Sequence, residues 1–336
     1  HLQCEPMPHL TLVLPFSLPP AEHARDLIAQ LRAPALAKML ARASGGLQAA
    51  PAAFQACLPH ESWLSGRTHD NSPALAHATM QALGLAACEG FWFVLQPVHL
   101  HVARDHLVLT DYRRLNLSEP EARSLFDAAA PLFAEQSQTL MYGNANLWFL
   151  RADNWAELRT CTPDAACGHN IDIWLPSDST GSMAREWRRA QNEVQMLWHQ
   201  HPVNEARDRQ GLQRINGLWL WGGSGSMTAA SDGDHLMAAQ LAKPDTDRCH
   251  APVQAGVRVI DSLLPGALAD DWSEWLRQMA ALDENCFAPA LATLSDGKLD
   301  AIRLVMSDST RLAEWTLTRS SMRKFWVRSS LSRLAP

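Results

Sequence analysis

Residues 183–225 constrain the fold more than any other stretch. Met183, Trp187, Ala190, Val194, Trp198 and His201 recur every three or four residues, which is one face of a helix of about five turns. Pro202 lacks a backbone donor, so it ends or bends that helix. The chain continues as Pro202-Val203-Asn204-Glu205-Ala206-Arg207, passes Gly211 and Asn216, and enters the apolar strand Leu218-Trp219-Leu220-Trp221 before Gly222-Gly223-Ser224-Gly225. A buried polar group without a partner costs about 1–3 kcal/mol. His201, Asn204, Arg207 and Asn216 lie between two apolar elements, so they form either a hydrogen-bonded structural knot or a ligand pocket. The planar fork of Arg207 suits a phosphate or carboxylate. It equally suits the carbonyls of a helix end and a strand.

The chain has 336 residues, more than one typical domain, which predicts one large domain or two interlocked ones. Hydrophobic residues make up 47% and charged residues 19%, an ordinary globular balance. The 13 Trp residues bring a large apolar area, each with one N–H to satisfy. A net charge of −6 gives no whole-chain footprint for nucleic acid or for an anionic membrane. Basic residues gather only at Arg185–Arg189 and Arg311–Arg333, read as a solvated face and a terminal element. No apolar run of about 18 residues spans a membrane, and no signal-peptide pattern is present. Seven Cys without a regular framework predict free thiols and a cytoplasmic location. Residues His1–Pro6 precede Met7, which is read as the natural start.

The remaining pattern alternates strands and helices. His9–Leu14 reads as a buried opening strand, and Ala21–Ala43 as helical with a break at Pro34. Residues 45–59 read as loop plus short helix, and Ser72–Leu83 as a helix stopped by Gly84. Gly90–Val102 and Leu107–Asp111 are strand-like. Ser118 with Glu121 forms a capping box for a helix striped by Ala122, Leu125, Ala129, Leu132 and Phe133. Thr139–Arg151 returns to strand. Val257–Leu264, Asp270–Leu282 and Leu299–Met306 read as strand or short helix, then helix, then strand.

These segments carry a resemblance across roughly residues 95–225. It runs through His99-Leu100-His101-Val102 to Asp111, Ser118–Leu125, Asn170-Ile171-Asp172 with Leu175-Pro176, Asn192–Leu197, and the His-Pro-Val-Asn turn with Ile215-Asn216. The layout resembles the archaeal-type cofactor-independent phosphoglycerate mutases of the alkaline-phosphatase superfamily. It is also similar to a divergent bacterial branch described as predicted mutases or regulatory proteins. The resemblance implies an α/β fold: an alkaline-phosphatase-like central sheet flanked by helices, with an inserted smaller α/β domain. Residues 7–89 plus 218–336 would form the core and residues 90–217 the insertion.

The departures from that family bear on chemistry. Its active members follow strand one with Asp-Gly-x-x-Asp, whose Asp binds metal; here Leu14-Pro15-Phe16-Ser17-Leu18-Pro19 has no carboxylate. The family also uses a Ser nucleophile, and Asp and His clusters for two divalent metals. Its substrate-contacting Tyr-Arg-His stretch has no counterpart near Asn154-Trp155-Ala156-Glu157. Phosphoryl transfer rests on positioning and charge neutralisation, so loss of the metals removes its main source of rate.

Other constellations have a bland reading beside the chemical one. His99 and His101 share one strand face, but zinc needs three or four ligands. Asp232, Asp234 and His235 either ligate a metal or make an Asp-Gly turn before a helix. The backbone at Gly223 and Ser224 either cradles a phosphate or turns tightly from strand to helix. Met227-Thr228 replaces the Lys-Ser/Thr of a P-loop. Asp308 ends a late strand as a lone carboxylate.

The expectation is a cytoplasmic, metal-poor, catalytically degenerate relative of the mutases with a binding or regulatory role. Its ligand-binding candidates are His201, Asn204, Arg207, Asn216, Gly223 and Ser224. The partner would be a small phosphorylated ligand or a protein, with no nucleic acid and no membrane. No cofactor is expected; manganese, zinc or cobalt enters only under the alternative, an active metal-dependent mutase or phosphatase. A third reading is a partner-binding scaffold with an exposed Trp-rich face.

Overall fold

A computed structural model describes residues 8–48, 54–67, 70–86, 89–244 and 251–336. Met7, the expected start, lies outside them. The strands are β1 (His9–Leu14), β2 (Ser44–Leu47), β3 (Phe91–Val98), β4 (Leu100–Ala103), β5 (His106–Leu109) and β6 (Thr139–Asn144). They continue with β7 (Leu147–Arg151), β8 (Gly217–Gly225), β9 (Gly256–Val259), β10 (Ala301–Ser307) and β11 (Leu312–Thr318). The chain divides into two compact units, His1–Ala52 with Asp245–Pro336, and Ala53–Pro244.

The first unit holds a mixed sheet in the order β2-β11-β10-β1-β9. β1 runs parallel to both β9 and β10, while β11 is antiparallel to β10 and β2. A central parallel strand is buried on both faces, which is why β1 reads as an unbroken apolar run. Leu12, Val13 and Leu14 are fully buried. Pro34 does break the predicted helix, giving Ala24–Gln30 and Pro34–Arg42. Buried Asp283 caps the second of these, accepting from Leu36 N at 2.7 Å and Ala35 N at 3.1 Å. Leu36, Met39 and Leu40 of that helix pack into one core with Trp275, Met279, Phe287 and Leu291.

The second unit holds an antiparallel sheet in the order β6-β7-β3-β8, with β4 and β5 forming a separate hairpin. β8 pairs with β3 from Gly217–Val98 to Gly225–Phe91. It therefore belongs with residues 90–217 rather than with the outer core, where the expected boundary at residue 218 put it. The helices Glu119–Ala134 and Ser182–His199 share one core with this sheet. In it, Trp148 meets Phe126 edge-on at 5.3 Å and Trp198 at 5.9 Å. Two indole donors of this core find partners, Trp198 bonding Leu125 O and Trp155 bonding Glu186, while that of Trp148 is buried without one. Among the described residues Trp326 is the exposed Trp, Trp63, Trp174 and Trp272 are half-buried and the others are buried, so they form no exposed Trp-rich face of the kind the scaffold reading expects.

The protein is thus α/β, with a mixed sheet in one unit and an antiparallel sheet in the other. Among the described residues no helix is long and apolar enough to cross a membrane.

Candidate functional site

Pro202 ends the long helix at His199 and opens a new one, Pro202–Arg209. Proline suits that first position, where no donor is needed. His201 caps the new helix, its Nδ1 accepting from Val203 N at 3.2 Å. Burial lowers the pKa of His201, which keeps the ring an acceptor. The Asn204 amide donates to Trp198 O (2.9 Å) and Ile215 O (2.8 Å) and accepts from Ile215 N (2.8 Å). Asn216 holds Leu100 from both sides, accepting from its N–H at 2.7 Å and donating to its carbonyl at 2.9 Å. Arg207 is fully buried. It donates to Gln213 O at 2.7 Å, to Leu115 O, and to both oxygens of Glu121 at 3.2 Å.

The structure thus brings Asn204, Arg207 and Asn216 into one region and commits each to the protein. The geometry is that of a knot tying the helix Pro202–Arg209 to β4, β8 and the start of the Glu119–Ala134 helix. A cavity of about 200 Å³ lies alongside, lined by Gln195, Trp198, His199, Asn204, Arg214, Ile215 and Asn216. Its Asn amides are spent as described, and Arg214 is paired with Asp208 at 2.9 Å.

The other candidates lie elsewhere. Gly223 and Ser224 are inside β8, not in a turn entering a helix. Gly222 takes φ +66°, beside a bulge opposite Trp92–Val94, and β8 resumes pairing beyond it. The Gly222 amide is spent on Ser72 Oγ at 2.9 Å. Ser224 is 3% exposed, and its Oγ bonds both His77 N (3.1 Å) and His77 Nδ1 (2.8 Å). Asp232, Asp234 and His235 lie in the first turn of the helix Asp232–Ala242. Asp234 closes a capping box with Ser231 and pairs with Arg67 at 3.4 Å. The Asp-Gly pair therefore sits inside a helix start, not in a reverse turn.

In open α/β sheets, ligands bind beyond the carboxyl ends of parallel strands. In the first unit those ends are Leu14, Val259 and Ser307; the resemblance implies a metal-binding Asp after the first of them. After β1, the Ser17 hydroxyl donates to Leu14 O at 2.6 Å, and Phe16 O accepts the Trp275 indole at 2.7 Å. After β10, Asp308 Oδ1 accepts from Thr310 N (2.8 Å) and Arg311 N (2.6 Å). Its Oδ2 binds Arg311 Nε at 2.6 Å. Both carboxylate oxygens thus close their own loop. Among the described residues no group of three or more His, Cys, Asp or Glu is placed to hold a metal ion. Among the described residues Asp308 is thus committed to its own turn, whereas a two-metal centre needs several uncommitted anionic ligands around each ion.

One cluster of titratable groups has no mark in the sequence reading. In the second unit Arg113 reaches Asp111 at 2.8 Å and grips Asp164 through two bonds of 2.9 and 2.7 Å. It also lies 4.5 Å from the centre of the Tyr112 ring. Glu61 caps its own helix at Leu58 N (2.7 Å) and accepts from Thr162 Oγ1 (2.7 Å). Pro59 and Glu61, at the first and third positions of the helix Pro59–Ser65, were the readable part of this. The long-range partners carry no local pattern. Burial, then the Asp164 charge, pushes the Glu61 carboxyl up to about 8. Burial, then the Arg113 charge, pushes His60 down to about 3.

These neighbours oppose each other. The folded state keeps the Glu61 proton from pH 4.5 up to about 8 while the unfolded chain has lost it, so stability falls as pH rises through that window. The folded state refuses a proton on His60 between pH 6.5 and about 3 while the unfolded chain takes one, so stability falls as pH drops. Glu61→Gln is expected to be stabilised relative to the parent as pH rises from 5 to 8. Each pKa unit corresponds to about 1.4 kcal/mol, so the gain is on the order of a few kcal/mol. Urea titrations at several pH values check this; parallel curves for the two proteins overturn it.

Comparison with known proteins follows from this geometry. No protein-family model matches the chain. A stretch of 123 residues is 28% identical to the 2,3-bisphosphoglycerate-independent phosphoglycerate mutase of Methanosarcina mazei. That stretch is 36% of this chain and 30% of the mutase, so the match spans under a third of that enzyme's length. Among solved structures, the PH0037 protein from Pyrococcus horikoshii aligns over 93% of this chain and 87% of its own, with TM-score 0.55 and 10% identity. The cofactor-independent phosphoglycerate mutase from Thermoplasma acidophilum aligns over 98% and 95%, with TM-score 0.45 and 14% identity.

Proposed function

We propose that this chain, a distant relative of the archaeal cofactor-independent phosphoglycerate mutases, is a catalytically degenerate member that works by binding or regulation. In this reading the unit His1–Ala52 with Asp245–Pro336 corresponds to the alkaline-phosphatase-type core, and Ala53–Pro244 to the inserted domain. The observation that carries it is Asp308. It is the carboxylate at the end of β10, and its oxygens are bound to Arg311 and to two amides of its own turn. A metal would have to displace a guanidinium and unmake that turn. Without metals, the buried Ser17 and Ser307 hydroxyls have no activating group comparable to a divalent ion. The bound species would be a small phosphorylated acid or a protein partner.

The test is a phosphoglycerate mutase assay with manganese, cobalt or zinc supplied, alongside elemental analysis after dialysis. The expected result is no interconversion of 2- and 3-phosphoglycerate above the blank, and fewer than two metals per chain. Turnover that Ser17→Ala or Ser307→Ala abolishes, in a protein that still folds, establishes the active metal-dependent enzyme instead. Two metals per chain surviving dialysis overturn the reading as well.

A further inference from the structure

The segment Arg319–Arg328 (Arg-Ser-Ser-Met-Arg-Lys-Phe-Trp-Val-Arg) holds four basic residues and no acidic one, in a chain of net charge −6. Phe325 is 85% exposed and Trp326 70%. Arg319, Arg323, Lys324 and Arg328 are exposed too. Among the described residues none of these four forms an ion pair. Water-exposed Phe and Trp side by side are a cost unless something covers them.

The tip is held out rather than loose. Before it, Thr318 and Ser321 cap each other, at 2.9 and 3.3 Å. After it, Arg42 donates to Val327 O at 3.2 Å, and Ser330 N to Ala37 O at 3.3 Å. Arg333 then grips Leu40 O and Ala43 O at 2.6 and 2.7 Å, and Leu334 is fully buried. Both ends of the loop are thus tied to the first unit, and the aromatic pair stays outside.

The geometry points to a peripheral docking surface for an anionic lipid bilayer. Phe325 and Trp326 enter the headgroup boundary, and Arg319, Arg323, Lys324 and Arg328 lie against lipid phosphates. Apolar rings flanked by Arg and Lys are what an interfacial anchor needs. A single-stranded nucleic acid needs open ring faces in succession for base stacking. Here the two rings meet edge to face, at 5.2 Å and 82°, so the edge of one covers a face of the other and the two offer no parallel succession of faces. The whole-chain charge hides this patch, because it averages a basic tip with an acidic remainder. The inference is independent of the reading of the catalytic centre.

The experiment is sedimentation of the full chain with large unilamellar vesicles, either pure phosphatidylcholine or with 30% phosphatidylglycerol. The variants are Phe325→Ser/Trp326→Ser and Arg323→Glu/Lys324→Glu, with melting curves to confirm folding. Binding to the anionic vesicles is expected, with none to pure phosphatidylcholine, and it should weaken as salt rises. Each variant should lower the vesicle partition coefficient at least tenfold while melting like the parent. No binding to anionic vesicles, or binding that both variants keep, overturns the proposal. So does the absence of vesicle binding together with a dimer, or a complex with oligothymidine, that Trp326→Ser destroys.

Discussion

Arg207→Ala is expected to melt about 10 °C below the parent, taking the fold of residues 53–244 with it. Arg207 is fully buried and joins three separate segments. It donates to Leu115 O in the turn before the Glu119–Ala134 helix, to Glu121 in that helix, and to Gln213 O in the loop before β8. Alanine leaves two carbonyls without this donor. It also leaves Glu121, whose pKa burial raises but its Ser118 bonds and the Arg207 charge together bring below the usual value, with less to balance its charge. Each carbonyl left without a donor costs about 1–3 kcal/mol, together a large part of a typical net stability of about 5–15 kcal/mol, while the partly exposed Glu121 keeps water beside it. Arg207→Lys keeps the charge but loses the fork, so it should recover only part of the loss. Differential scanning calorimetry with and without 3-phosphoglycerate separates this from a ligand site. A variant that melts like the parent but loses a ligand-induced rise in Tm makes Arg207 a ligand residue.

Features encoded by neighbouring residues are legible in the sequence. β1 shows as an apolar run because it is buried on both faces. The Ser118–Glu121 capping box is a four-residue pattern and is found where expected. The break at Pro202 is legible for the same reason, since one missing donor decides it. Features assembled from distant parts were not legible. Ser44–Leu47 (Ser-Gly-Gly-Leu) has no strand-like alternation, and becomes β2 only by pairing with β11. β11 itself alternates, as Ala313, Trp315 and Leu317 go inward, but it lay within a stretch sorted by its basic residues. At the candidate site, residue types predicted polar groups needing partners and left knot and pocket open. The Asn204 bonds to Trp198 and Ile215 favour the knot. Arg113 with Asp164 had no local mark, because 51 residues separate them.

Gly233→Ala is the sharpest case of a short-range reading meeting a long-range cause. Asp232-Gly233-Asp234 suggests a turn, and in an exposed helix Gly→Ala gains about 1 kcal/mol. Here Gly233 is the second residue of the helix Asp232–Ala242, laid against the backbone of the helix Pro59–Ser65. A Cβ at Gly233 would sit 1.8 Å from Leu64 O and 2.4 Å from Leu64 C. Both are backbone atoms, so no rotamer change relieves the clash. The helix has to move by more than an ångström-scale adjustment of side chains allows. That movement strains the Arg67 bonds to Asp234 and Ala229 O, at 3.4 and 3.0 Å. Overpacking of a core costs about 1–3 kcal/mol and sometimes more, and a clash with fixed backbone belongs at the upper end. The expected result is a loss of about 3 kcal/mol or more, against the gain that propensity alone predicts. Gly46→Ala is the control, since a Cβ there meets nothing within 4 Å. If Gly233→Ala unfolds at the same urea concentration as Gly46→Ala, the two helices do not approach as closely as Leu64 and Gly233 indicate.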